Sequence, residues 1–199
     1  MSDPAPTPTA PRSRRAAWIV APVAFVMLVF IVVLATGDRD DKGFDSFDLV
    51  GQVAPSIVGT TIEGEAFDLD DHRGSFVIVN FFQTTCIPCR QEHPELVAFQ
   101  EAYGPSGFAT LVSVAFDDEP SNIREFFAEF GGDWPVIAVD TGPIAVAYGV
   151  PLVPESVLIS PDGEVITKLL GGIRKADLEA VIQSWQDEQA TSADAEEDT

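Results

Sequence analysis

The apolar and polar positions from residue 48 onward follow two periods. Predominantly apolar runs without a charge, typical of strands buried on both faces, lie at 75–82 and 108–116. Apolar residues at helical spacing follow each run, as at Ile123, Phe126 and Phe130. The predicted elements are, in chain order, a hairpin at 61–67, a strand at 75–82, a helix from Cys86 to Tyr103, a strand at 108–116, a helix from Pro120 to Gly131, a strand at 136–139, a helix at 143–148, a hairpin of 156–160 with 164–170, and a helix at 175–186. Such an alternation predicts an α/β fold, with a mixed central sheet flanked by helices.

A longer apolar segment precedes this domain. Residues 16–35 carry no charge, and at 1.5 Å per residue they span roughly the 30 Å of a bilayer core. Three arginines, at positions 12, 14 and 15, lie before the segment and predict a cytoplasmic N-terminus. We therefore expect a cytoplasmic segment at 1–15 and a transmembrane signal anchor at 16–36. A cleaved signal peptide is the alternative, and it also exports the domain.

The distribution of charge predicts a linker before the exported domain and a tail after it. Residues 37–47 are charged and contain glycine, which predicts a linker before the domain at 48–187. Residues 188–199 are acidic and lack aromatic residues, so we expect a disordered tail. The chain carries a net charge of −21. Such a charge repels phosphate backbones, which argues against nucleic acid as a partner and favours basic proteins.

The chain has two cysteines, Cys86 and Cys89. One pair cannot form a disulfide scaffold, and it falls short of the four ligands of a structural zinc site. The pair follows a predicted strand and begins a predicted helix, where free N–H groups and the helix dipole stabilise a thiolate. We expect Cys86 to attack a disulfide and Cys89, further inside, to resolve the mixed disulfide. Pro88 restrains the turn between them. Two idle core cysteines, or half of a metal site, are the alternatives.

Residues 79–94, VNFFQTTCIPCRQEHP, resemble the active-site segment of the thioredoxin superfamily, and most closely its membrane-anchored TlpA/ResA/DsbE (CcmG) branch. Residues 49–55 resemble the entry motif of that branch, and 148–159 its cis-proline loop and following strand. The resemblance covers roughly residues 48–187. It implies a thioredoxin-like fold and thiol–disulfide oxidoreductase activity through a redox disulfide of Cys86 and Cys89, without a cofactor or a bound metal.

The resemblance also implies roles for single residues. Pro154 resembles the cis-proline that lies beside the cysteine pair and presents the backbone of the preceding residue, Val153, to an extended substrate. Glu92 matches an acidic position of the branch, one helical turn beyond Cys89. A partly buried carboxylate there could have a raised pKa and carry the proton of either cysteine, whereas the alternative is an exposed glutamate of the first turn. Glu155 matches another acidic position or is a solvated loop acid.

The chain departs from the usual family residues at three places near the pair, one of which is Phe82, in place of another usual tryptophan. Thr85 stands where tryptophan usually precedes the first cysteine, which leaves the rim of Cys86 more open and more polar. We expect Thr85, Pro88 and Val153 to contact the substrate. Asn80 stands where thioredoxin keeps a buried aspartate, so protons must be handled differently. His93 could be a copper ligand, but the spacing of the cysteines differs from that of copper-binding relatives, and we expect no metal.

The predicted partners are thiols and disulfides of exported proteins. The resemblance suggests reduction of apocytochrome c cysteines, with electrons from a membrane donor such as a DsbD-like or CcdA-like protein. An oxidant that introduces disulfides is one alternative. A peroxiredoxin-like peroxidase is another, although Thr84-Thr85-Cys86 lacks the frame of a peroxidatic cysteine. A metallochaperone or other binding module with an idle cysteine pair is the alternative from a different class.

Overall fold

The computed structural model describes Met27 and residues 49–197. Seven strands and four α-helices lie within residues 49–197, together with 3-10 turns at Leu69–His72 and Gly104–Ser106. Their bounds are β1 Val58–Thr60, β2 Ala66–Asp68, β3 Phe76–Phe82, α1 Ile87–Tyr103, β4 Ala109–Ala115, α2 Pro120–Phe130, β5 Val136–Ile137, α3 Gly142–Ala147, β6 Glu155–Ile159, β7 Val165–Leu170 and α4 Lys175–Glu197.

The central sheet has five strands in the order β5-β4-β3-β6-β7. Strand β3 pairs parallel with β4 and antiparallel with β6, so the sheet is mixed. Strands β1 and β2 form a small antiparallel hairpin with its turn at Gly64, whose φ of 90° favours glycine, but its strands span 58–68 rather than the predicted 61–67. This arrangement is the predicted thioredoxin-like α/β fold.

Strand β3 is buried along its whole length and faces a core on each side. Because side chains alternate across a strand, Phe76, Ile78 and Phe82 face one cluster, which contains residues of α1, α2 and α4. Val77, Val79 and Phe81 face the other cluster, which contains residues of α3 and of the chain before β3. The same alternation places Asn80, between Ile78 and Phe82, on the side of α1.

The last helix differs from the prediction. The sequence predicted a helix at 175–186 and a disordered tail from 188, whereas α4 continues to Glu197. Alanine and glutamate make up six of the eleven residues at 187–197, and both favour helix. Thr191 and Ser192 each donate a side-chain hydrogen bond to the carbonyl four residues earlier. The low-hydrophobicity composition that suggested disorder is therefore equally compatible with an exposed helix.

The predicted transmembrane segment, 16–36, lies outside the described residues except for Met27, which is helical. Among the residues that the structure does describe, no helix combines the length and the apolar character needed to cross a membrane. The cytoplasmic segment 1–15 and the linker 37–47 also lie outside the described part.

Candidate active site

The cysteine pair lies between the end of β3 and the start of α1. Cys86 and Cys89 form a disulfide, with their Cα atoms 5.3 Å apart. Cys86 is the N-cap residue of α1, and its sulfur accepts the backbone N–H of Cys89 at 3.2 Å. A thiolate at this position would receive that hydrogen bond together with the positive end of the helix dipole. Cys86 is half-buried whereas Cys89 is 3% exposed, so an incoming disulfide can reach only Cys86.

The loop before β6 faces this pair. The Val153–Pro154 peptide bond is cis, as predicted. The carbonyl oxygen of Val153 lies 3.8 Å from the sulfur of Cys86. The carbonyl of Pro154 accepts the N–H of Gly171 at 3.0 Å, which ties the loop to the end of β7. The backbone edge of Val153 therefore lies directly beside the sulfur that a substrate must approach.

Glu92 is a buried carboxylate on α1, with 3% of its surface exposed. One oxygen accepts the side-chain amide of Asn80 at 2.9 Å, and the other accepts the N–H of Ile173 at 3.0 Å. Burial raises the pKa of Glu92 to about 7, against these two hydrogen bonds, which act in the opposite direction. The alternative of an exposed glutamate is therefore wrong. Glu92 can gain or lose a proton near neutral pH one turn from Cys89.

Asn80 connects Glu92 to the central sheet. Besides Glu92, its amide donates to the hydroxyl of Ser156 on β6 at 3.1 Å. All three side chains are buried, so each hydrogen bond replaces one lost with water. The position where thioredoxin keeps an aspartate is thus occupied here by a neutral donor, Asn80. The buried carboxylate of this site, Glu92, lies on α1 instead.

The loop before Cys86 is held by one side chain from the segment before α2 and one from α1. Asp118, just before α2, accepts both the N–H and the hydroxyl of Thr84, each at 2.6 Å. Arg90 of α1 donates to the carbonyl of Thr84 at 3.3 Å, and its guanidinium lies 4.5 Å from the ring centre of Phe130. Partial burial raises the pKa of Asp118, but the hydrogen bonds from Thr84 outweigh it and hold the pKa below its usual range. Asp118 is therefore charged at neutral pH.

Thr85 and Pro88, predicted to contact the substrate, are both exposed beside Cys86. Thr85 lies between two surface grooves, one lined by Gln83 and Asp140 and the other by Glu125 and Glu129. The rim at the position of the usual tryptophan is therefore polar and open, as the sequence predicted.

His93 is buried among aromatic rings. Its ring centre lies 4.6 Å from that of Phe126 and 5.3 Å from that of Trp134, and Nε2 donates to the carbonyl of Gly131 at 2.8 Å. Burial lowers the pKa of His93, although the bond to Gly131 opposes the change. A neutral ring with this packing belongs to the core. No group of three or more potential metal-ligating side chains forms within residues 49–194.

Glu155 begins β6 and is buried, so the alternative of a solvated loop acid is wrong. Its carboxylate lies 2.6 Å from the ammonium of Lys168 on β7. Neither Lys168 nor Asp118 was identified from the sequence. The sequence gives one indication of Lys168, which is the lone charge in the strand VITKLL. Asp118 left none, because its contact with Thr84 joins residues 34 positions apart.

Comparison with known proteins agrees with this geometry. The profile of the Redoxin family matches residues 49–182. The chain belongs to the Redoxin family. The Redoxin-family chain is 33% identical over 162 residues to the thiol-disulfide oxidoreductase ResA of a Bacillus cereus strain, covering 79% of this chain and 92% of that protein. It is 33% identical over 100 residues to the thiol:disulfide interchange protein CycY of Rhizobium leguminosarum bv. viciae, covering 50% of this chain and 52% of that protein.

A solved structure gives the same result. The crystal structure of a putative thiol:disulfide interchange protein DsbE from Chlorobium tepidum superposes with a TM-score of 0.61 at 30% identity, covering 68% of this chain and 96% of that chain. Together with the close cysteine pair, these similarities show a thiol–disulfide oxidoreductase of the thioredoxin superfamily, similar to ResA and DsbE.

Proposed function

We propose that the chain reduces disulfides of exported proteins outside the cytoplasm, with Cys86 as the nucleophile. The observation that carries the proposal is the layered arrangement at the start of α1. An accessible sulfur caps the helix, a buried sulfur lies beneath it, and a carboxylate with a pKa of about 7 follows one turn later. This order of exposure matches the order in which the two sulfurs must react.

The exchange has two steps. The thiolate of Cys86 attacks one sulfur of the substrate disulfide, forms a mixed disulfide and releases the other substrate sulfur as a thiolate. The thiolate of Cys89 then attacks the sulfur of Cys86, which releases the second substrate thiolate and forms the Cys86–Cys89 disulfide. Two electrons pass from the pair to the substrate. The disulfide in the structure is the state that follows this reaction.

Glu92 is proposed to act in the second step as a proton acceptor. Cys89 is buried, and burial disfavours its thiolate, so its proton must leave as the sulfur attacks. A carboxylate with a pKa of about 7 is half-ionised near neutral pH and can take that proton. The hydrogen bonds from Asn80 and Ile173 stabilise its charged form.

The location and partners are proposed from the sequence and from the resemblance. An uncharged segment at 16–35 behind three arginines supports a single-pass anchor in the cell membrane, with the N-terminus in the cytoplasm. The resemblance to the TlpA/ResA/DsbE (CcmG) branch supports apocytochrome c as the substrate, with its cysteines reduced before haem attachment. A membrane protein similar to DsbD or CcdA is the proposed electron donor that reduces the Cys86–Cys89 disulfide again.

Substitution of each cysteine tests the proposed order of reaction. Cys86→Ser is expected to abolish reduction of insulin disulfides, because no accessible nucleophile remains. Cys89→Ser is expected to accumulate a mixed disulfide with the substrate, visible by non-reducing electrophoresis, because the resolving step is lost. Full activity of Cys86→Ser, or a mixed disulfide that forms on Cys89 in that variant, would contradict the proposal.

A further inference from the structure

Lys168 is the one charged residue of β7, and its ammonium is largely buried. It lies 2.6 Å from the carboxylate of Glu155 and donates to the carbonyls of Tyr148 at 2.8 Å and Gly149 at 3.3 Å. Two of the N–H donors of the ammonium therefore go to carbonyls, while the contact with Glu155 is an ion pair in which that carboxylate oxygen accepts no hydrogen bond.

The three contacts lie on both sides of one loop. Tyr148 and Gly149 directly follow α3, whereas Glu155 begins β6. The residues between them form the loop that carries Val153 and the cis-proline. The tip of the loop extends into solvent, since Leu152 is 76% exposed. One side chain therefore holds the two ends of the segment that lies against Cys86.

The geometry points to Lys168 as a positioning residue for disulfide exchange: by joining the carbonyls of Tyr148 and Gly149 to the carboxylate of Glu155, it fixes the loop that presents the backbone of Val153 to the substrate beside Cys86. The inference rests on the function proposed above. A substrate bound along this loop gains a hydrogen bond only if the backbone of Val153 is already in place, so a loop that is fixed in advance binds the substrate more tightly than a loop that must be ordered on binding.

Stability alone is a poor explanation for this ion pair. Removing an ammonium and a carboxylate from water costs free energy that their attraction often does not exceed, and apolar residues of similar size are frequently as stable. Lys168 also donates hydrogen bonds to carbonyls just beyond the end of α3. Because α3 has only six residues, capping this helix is also a poor explanation for the contacts. Lys175 offers a matched comparison, because its ammonium lies 2.6 Å from Glu179 within α4 and 5.5 Å from the ring centre of Tyr103, and both of these residues lie outside the loop.

The test compares two substrates of the full-length chain. Insulin is a protein disulfide that can form a hydrogen bond with the backbone of Val153, whereas bis(2-hydroxyethyl) disulfide has no peptide groups.

Lys168→Met is expected to raise KM for insulin about five- to tenfold, the factor expected for one hydrogen bond of ordinary net strength. The kcat for insulin and the rate with the small disulfide should stay within about twofold of the unsubstituted values, since neither depends on the positioned backbone. Lys168→Arg should restore KM, and Lys175→Met should leave both substrates unaffected.

Every outcome of this test either supports or overturns the role inferred for Lys168. An unchanged KM for insulin in folded Lys168→Met, or equal losses with both substrates, overturns the inference. If thermal unfolding shows that Lys168→Met does not fold, the double variant Lys168→Met/Glu155→Gln replaces it with the same expectation, because it leaves no unpaired charge. Failure of both variants to fold also overturns it, since the pair would then be structural. If the unsubstituted chain does not reduce insulin, the proposed function fails instead.

Discussion

Glu92 carries the most perturbed carboxylate among the groups around the cysteine pair, and its effect on stability has a definite sign. Its pKa is raised from 4.5 to about 7 in the folded state, so the folded chain keeps the proton that the unfolded chain loses first. The contribution of Glu92 to the unfolding free energy is fully present below pH 4.5 and is lost as the pH rises to about 7. The full shift corresponds to roughly 3 kcal/mol.

Glu92→Gln should remove this dependence. The difference in unfolding free energy between the substituted and unsubstituted chains, measured by urea denaturation of the disulfide form at several pH values, should change by up to roughly 3 kcal/mol between about pH 5 and pH 8. Glu101→Gln is the control, because Glu101 is an exposed glutamate of the same helix. Parallel curves for Glu92→Gln and the unsubstituted chain would show that the carboxylate does not titrate near pH 7.

At the scale of elements, the loop before α1 depends on a residue from the segment between β4 and α2. Asp118→Ala removes the acceptor of two hydrogen bonds from Thr84 and should lower the unfolding free energy by about 2 kcal/mol, the range of bonds to a charged acceptor. Glu119→Ala removes an adjacent carboxylate that is exposed, and serves as the control. Equal urea midpoints for the two variants would mean that the loop is held by other contacts.

The extension of α4, in contrast, is expected to contribute little to the unfolding free energy. Residues 188–194 are exposed, so deletion of 188–199 removes little packing. The unfolding free energy should change by less than roughly 0.5 kcal/mol, while the helical signal in circular dichroism decreases. A loss of more than about 2 kcal/mol on urea denaturation would instead show that the extension packs against the domain.

The elements differ in how far the sequence could predict them. Strands β3 and β4 were predicted to within one residue at either end, because predominantly apolar runs without a charge indicate buried strands. The end of α4 was missed by eleven residues, since the same polar composition suits an exposed helix and a disordered tail. At the site, local spacing indicated Cys86 and Cys89, and the family resemblance indicated Glu92 and Pro154. The contacts of Asp118 and Lys168 join distant parts of the chain, which a periodic pattern does not contain.

At the scale of the whole molecule, the direction of electron flow is the central claim. The chain is an oxidoreductase by its fold and its relatives, but the same fold and the same pair of sulfurs can reduce or oxidise a substrate. Direction depends on the reduction potential of the pair relative to its partners, and a tenfold change in equilibrium is only about 30 mV for a two-electron couple.

The reduction potential of the Cys86–Cys89 pair therefore tests the account most directly. The full-length chain is equilibrated in thiol–disulfide buffers of known potential, and the free thiols are trapped and counted. A reductase of exported proteins should have a potential below about −230 mV at pH 7. A value near about −120 mV, typical of strong disulfide-forming oxidants, would contradict the proposed reductive function.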